Sequence, residues 1–135
     1  MRHLGIDFGT KKIGLALSDA SGTMAFPHEV VPNDAQLLKT VEQLIEQQNV
    51  AVVVIGHSVK NNADPNVVQS HIEAFVTDLT LACGVPIHLE PEQYTTQAAL
   101  RIQGRNAQTD ASAAALILDS FLARSNKTSA VDFEQ

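Results

Sequence analysis

Three acidic residues on separate segments carry the chemistry this chain offers: Asp7, Glu92 and Asp110. Asp7 closes the alternating run Leu4-Gly5-Ile6-Asp7-Phe8, in which Leu4, Ile6 and Phe8 fall on one face of a strand and Gly5 and Asp7 on the other. A carboxylate near the end of an apolar strand is costly to bury unless it is paired or binds a cation. Gly9-Thr10 turns the chain, and Lys12–Ser18 returns as the second strand of a hairpin. Asp7 is thus expected at the lip of a sheet, beside backbone N–H groups that Gly9 leaves open to a ligand. The carboxylate suits a divalent metal for phosphodiester hydrolysis, and the Gly-Thr turn suits nucleotide phosphates. A plain hairpin, fixed by Asp7 and Thr10, accounts for the tetrapeptide equally well.

Asp110 heads a helical stripe shared with the apolar Ala114, Ile117 and Phe121, which aims it at the sheet. An N-cap or a charge at a helix N-terminus also explains an Asp there. Glu92 follows the fifth strand and precedes a helix, where a solvated loop carboxylate is the commoner fate, and Glu90 is its rival at the strand end. With strands one, four and five side by side, Asp7 and Glu92 share one C-terminal edge, and the last helix can bring Asp110 to them. Three converging carboxylates repel one another unless a divalent cation neutralises them. Hard oxygen donors suit Mg²⁺ or Mn²⁺.

The elements that must position these acids can be read in order. After the hairpin, Asp19–Gly22 marks a turn. A third strand runs through Thr23–Phe26 and His28–Val31, with Pro27 making it an edge strand or bending it. Pro32-Asn33-Asp34 opens a helix, with Asn33 or Asp34 as its cap, carried by Leu37, Leu38, Val41, Leu44 and Ile45. Ala51–Ile55 is a continuous apolar run, the pattern of a strand covered on both faces. The polar loop 56–64 follows at its C-terminal end, where ligands sit in open α/β sheets. A second helix carries Val68, Ile72, Phe75, Val76 and Leu79 and stops at Gly84; Val85–Leu89 is the fifth strand. A short helix runs from Gln97 to about Gln103, and the last from Thr109 or Asp110 to near Arg124. The sum is one α/β domain over residues 1–125: a mixed five-stranded sheet with helices on both faces. The polar tail 126–135 is expected to be frayed.

Composition bounds the function. A chain of 135 residues builds one core, and its 44% hydrophobic content contains no run long enough for a membrane span. The N-terminus reads directly into the first strand with no signal peptide. One cysteine, Cys83, excludes an internal disulfide and behaves as a small hydrophobe; together these point to the cytoplasm. A net charge of −6 argues against avid, non-specific nucleic-acid binding, yet a metal-dependent nuclease builds its site from carboxylates and can be acidic overall. Histidine and cysteine spacing gives no zinc site, and no nucleophile elbow is present.

With the acids placed, the chain resembles the YqgF (RuvX-like) family, Holliday-junction-resolvase-like proteins regarded as nucleases of pre-16S ribosomal RNA. The resemblance rests on Asp7–Lys11 with Ile13–Ala16, on Ser18-Asp19, Gly22-Thr23 and Ala25–Pro27, on Val54–Gly56, on Thr95–Ala98, and on Asp110–Leu118 through Leu122. It implies a ribonuclease H-like fold, Asp7, Glu92 and Asp110 as catalytic and metal-binding acids, and a two-metal mechanism with Mg²⁺ or Mn²⁺. The departures bear on substrate. Pro91-Glu92-Gln93 stands where the family has Asp-Glu-Arg, His57-Ser58 where it has Leu-Pro, and residues 106–109 are uncharged where it carries lysine.

The leading expectation is therefore a metal-dependent endonuclease acting on structured RNA, such as an rRNA precursor, or on branched DNA. Thr10, Lys11, Lys12, His57, Lys60, Thr96, Arg101 and Arg105 are its candidate nucleic-acid contacts, although solvated surface roles are the ordinary fate of such side chains. Its rival is a degenerate homologue that binds RNA or a protein without cutting, favoured by the acidic balance and by Gln93. A nucleotide-binding module built on the Asp-Phe-Gly-Thr turn ranks behind both, because actin-like ATPases need a second domain to close over the nucleotide. A monomer or a homodimer fits; resolving a four-way junction takes two nicks, hence a dimer.

Overall fold

The computed structural model describes residues 1–9, 11–56, 65–90 and 113–124. The elements are β1 (Arg2–Phe8), β2 (Lys12–Ser18), β3 (Ala25–Pro32), α1 (Leu37–Gln47), β4 (Val50–Gly56), α2 (Pro65–Cys83) and β5 (Ile87–Leu89), followed by the helical segment α3 (113–124). They form a five-stranded sheet of order β3-β2-β1-β4-β5. The β1/β2 and β2/β3 pairs are antiparallel, and β1/β4 and β4/β5 are parallel, which is the mixed sheet expected from the sequence.

Each face of the sheet has its own core, as strand alternation dictates. Leu4, Ile6, Phe8, Ile13, Leu15, Val53 and Ile55 pack against Leu37, Val41, Leu44 and Ile45 of α1 and Ile72, Phe75 and Leu79 of α2. The Phe8 and Phe75 rings meet there at 5.6 Å between centroids. On the opposite face, Ala16, Val52 and Val54 pack against Ala114, Ile117, Leu118 and Leu122 of α3. Strand β4 is covered on both sides, which accounts for its unbroken apolar run.

Of three local details, the first and third depart from the sequence reading, and the second settles an alternative it left open. First, β3 begins at Ala25 rather than Thr23. The Asp19 carboxylate accepts from Thr23 N and Oγ1 (both 2.7 Å), Ser21 Oγ (2.8 Å) and Met24 N (3.2 Å), which keeps Thr23 and Met24 in the turn. These donors hold Asp19 well below the usual carboxylate range, the Thr23 hydroxyl contributing most. Second, β3 runs unbroken through Pro27; it is an edge strand, and a register shift between Leu15 and Ala16 absorbs the lost donor. Third, neither Asn33 nor Asp34 caps α1. Gln36 is the N-cap residue, without a side-chain cap bond, while Asp34 Oδ1 accepts from Gln36 N at 2.9 Å one turn earlier. Asn33 is engaged elsewhere. Helix α2 ends as expected, with Gly84 at φ +70° and its N–H on Thr80 O at 3.0 Å. Cys83 is half-buried, its thiol 3.2 Å from Leu79 O. Among the described residues no helix is long and apolar enough to cross a membrane.

Candidate active site

Asp7 occupies the C-terminal end of β1 on the face covered by α3, and it is 1% exposed. Its register partners are glycines on both sides: Gly14 on β2 and Gly56 on β4. The carboxylate therefore rises from the sheet with no side chain beside it on either neighbouring strand. Gly5, two residues earlier on the same face, lets α3 come down onto the sheet. A Cβ there would lie 2.7 Å from Leu118 Cβ and 3.0 Å from Ala114 O. Farther back along β1, the His3 ring meets Phe121 at 5.9 Å between centroids. Advancing along α3 thus moves backward along β1.

The turn after Asp7 is braced from the far end of β3. Asn33 donates through Nδ2 to Gly9 O at 2.8 Å, and its backbone N–H donates to Lys11 O at 2.9 Å. One asparagine therefore holds both Gly9 and Lys11. Lys11 and Lys12 are exposed beside it, Lys12 at the start of β2 opposite Pro32. Asn33 escaped the sequence reading because Pro-Asn-Asp before a helix is a capping signal, and only the hairpin pairing reveals the alternative use.

Glu90 is the second acid at this edge. Its N–H donates to Ile55 O at 2.9 Å, so it stands level with Gly56, with Asp7 one strand beyond. Strand spacing separates the Asp7 and Glu90 backbones by about 10 Å. The Glu90 side chain is fully buried and its Oε1 is ion-paired with Arg124 Nη2 of α3. A Cβ on Gly56 would lie 3.3 Å from Ile117 Cγ2, so Ile117 covers the glycine between the two acids. Glu90 is thus engaged by a helix rather than turned to the edge of the sheet.

Of the acids singled out in the sequence, Asp7 is placed; Glu92 and Asp110 lie outside the described residues, as do Thr10, His57, Lys60, Thr96, Arg101 and Arg105. Among the described residues no three histidine, cysteine, aspartate or glutamate side chains gather as a metal cluster. What Asp7 offers suits a hard cation: a carboxylate on a rigid strand, with bare backbone to either side.

Comparison with known proteins bears on this arrangement. The family model described as RuvX, Holliday junction resolvase, matches residues 1–124. A Maridesulfovibrio salexigens protein described as a proposed pre-16S rRNA nuclease is 33% identical over 92% of this chain and 99% of its own. An Anaplasma marginale protein of the same description is 33% identical over 90% of this chain and 83% of its own. Among solved structures, Thermus thermophilus RuvC in complex with a Holliday junction substrate matches with a TM-score of 0.62 at 20% identity, covering 92% of this chain and 95% of that one. The fold is ribonuclease H-like. The chain belongs to the RuvX family.

Proposed function

We propose that this protein is a metal-dependent endonuclease that hydrolyses phosphodiester bonds in structured RNA, with Asp7, Glu92 and Asp110 as its catalytic acids. The observation that carries the reading is Asp7: buried, at the C-terminal edge of β1, flanked by Gly14 and Gly56 on the face that α3 covers. A carboxylate held at that edge on a rigid strand is a hard oxygen donor suited to a divalent cation.

The three acids would hold Mg²⁺ or Mn²⁺. Held there, such a cation would supply Lewis-acid activation of water and positive charge for the phosphodiester oxygens. The protein's own part is positioning. Strand β1 fixes the Asp7 carboxylate between two glycines, so a phosphate can approach without meeting a side chain from β2 or β4. Asn33 holds the turn at Gly9 and Lys11, keeping the backbone N–H groups and the exposed Lys11 and Lys12 beside the Asp7 edge. Lys60, Arg101 and Arg105, with Thr10, His57 and Thr96, complete the proposed nucleic-acid contacts. These residues bind and orient phosphates; the metal supplies the positive charge that a chain of net −6 lacks at its site.

An rRNA precursor is the preferred substrate, since relatives matched over nearly their whole length are described as proposed pre-16S rRNA nucleases. Branched DNA is the second, from the family description and the junction-bound RuvC. The proposed setting is the cytoplasm, with RNA cleaved by a monomer or a junction by a homodimer. A cleavage assay with each substrate in Mg²⁺ or Mn²⁺, with and without chelator, tests the reading. RNA or DNA bound but uncut under every condition would favour the non-catalytic binding protein, for which Gln93 in place of the family's arginine speaks.

A further inference from the structure

We infer that the Glu90–Arg124 ion pair is a positioning latch: it fixes the register of α3 on the face of the sheet that carries Asp7, and so conditions the metal site proposed above. The inference rests on the nuclease reading above. Glu90 has a fully buried side chain whose Oε1 is held by Arg124, while its Oε2 is buried with no hydrogen-bond partner among the described residues. A half-satisfied buried carboxylate is a poor stabilising device, because its desolvation cost commonly exceeds what one ion pair returns. An apolar residue would seal the same space better. What the pair adds is direction.

Helix α3 needs that direction. The face it lays on the sheet consists of Ala114, Ile117, Leu118 and Leu122, and apolar contact alone is non-directional. Two features remove the freedom to slide or rotate. Near its start, the Ala114 carbonyl and Leu118 Cβ sit on Gly5, where any Cβ would intrude. At its end, Arg124 reaches the residue directly after β5. Two fixed points far apart on one helix determine both its axial position and its rotation. The helix runs antiparallel to β1 on the face that carries Asp7, so this register governs how α3 meets the Asp7 edge.

The test uses the full chain and three variants: Glu90→Leu/Arg124→Leu together, Glu90→Gln, and the conservative Arg124→Lys. Replacing both partners by leucine avoids stranding a buried charge, so the double variant is expected to fold with a melting temperature at or above wild type. Its Mn²⁺ affinity, measured directly from the electron-spin signal of free Mn²⁺, is expected to weaken by about tenfold, and the Mg²⁺ concentration for half-maximal cleavage to rise by the same factor. Glu90→Gln is expected to fall between, and Arg124→Lys to stay closer to wild type than to the double variant. A folded double variant that binds Mn²⁺ as wild type does would overturn the latch and leave the nuclease reading standing. Wild type that neither binds Mn²⁺ nor cleaves would overturn the nuclease reading, and the latch with it.

Discussion

Asp7 and Gly56 are register partners across the parallel β1–β4 ladder, so the neighbour of the carboxylate on the β5 side is bare backbone. A Cβ at Gly56 would lie 3.2 Å from Glu90 O and 3.3 Å from Ile117 Cγ2, tight on both. Gly56→Ala is expected to cost about 1 kcal/mol, because Ile117 can yield slightly while the Glu90 carbonyl cannot. It is also expected to lower cleavage more than that loss of stability explains, since the methyl enters the space beside Asp7. Urea unfolding set against turnover, well below the melting temperature, checks both parts.

Gly5 is the less forgiving glycine. Its Cβ would fall 2.7 Å from Leu118 Cβ and 3.0 Å from the Ala114 carbonyl, neither of them the end of a flexible chain. Gly5→Ala is therefore expected to lift α3 from the sheet and destabilise the protein by about 2–3 kcal/mol. Faster hydrogen exchange over 113–124, with exchange in α1 and α2 little changed, would mark the opening as local to that face.

Asn33→Ala removes the bond to Gly9 O while keeping the backbone bond from its N–H to Lys11 O. The loss is expected to be about 1 kcal/mol in stability. Because Asn33 braces the turn and touches no reacting atom, KM for RNA is expected to rise with kcat nearly unchanged. Steady-state kinetics separate the two.

His3 gives a pH dependence with a definite sign. Burial pulls its imidazole below the ordinary value, with the N-terminal ammonium and His88 acting the same way and the contact with Met1 O opposing them. The unfolded chain accepts a proton near pH 6.5 that the folded protein resists, so stability is full above about that pH and falls below it, until the folded-state value is passed. His3→Gln is expected to flatten this part of the curve. Urea midpoints at about pH 7.5 and 5.5 test it.

Much of this was legible in the sequence because it depends on periodicity. The alternation of Leu4, Ile6 and Phe8 put Asp7 and Gly5 on one face, and the unbroken run at β4 announced a strand covered on both sides. The stripe of Ala114, Ile117 and Phe121 identified the face of α3 that meets the sheet. Long-range polar pairs were not legible. Nothing local distinguishes an Asn33 that caps a helix from one that reaches back 24 residues to Gly9, or a Glu90 at the lip of a site from one committed to Arg124. Gly5 was read as a position in an alternation, although its use is the close approach of a helix contributed by the far end of the chain.

The measurement that tests the central claim most directly compares wild type with Asp7→Asn on an rRNA precursor and on a four-way DNA junction, in Mg²⁺ or Mn²⁺, with chelator as control. Wild type is expected to cut the RNA only with metal. Asp7→Asn is expected to cut neither polymer while remaining folded, because asparagine keeps the size and shape of the side chain. Undiminished cleavage by Asp7→Asn, or cleavage by wild type that survives chelation, would contradict the account.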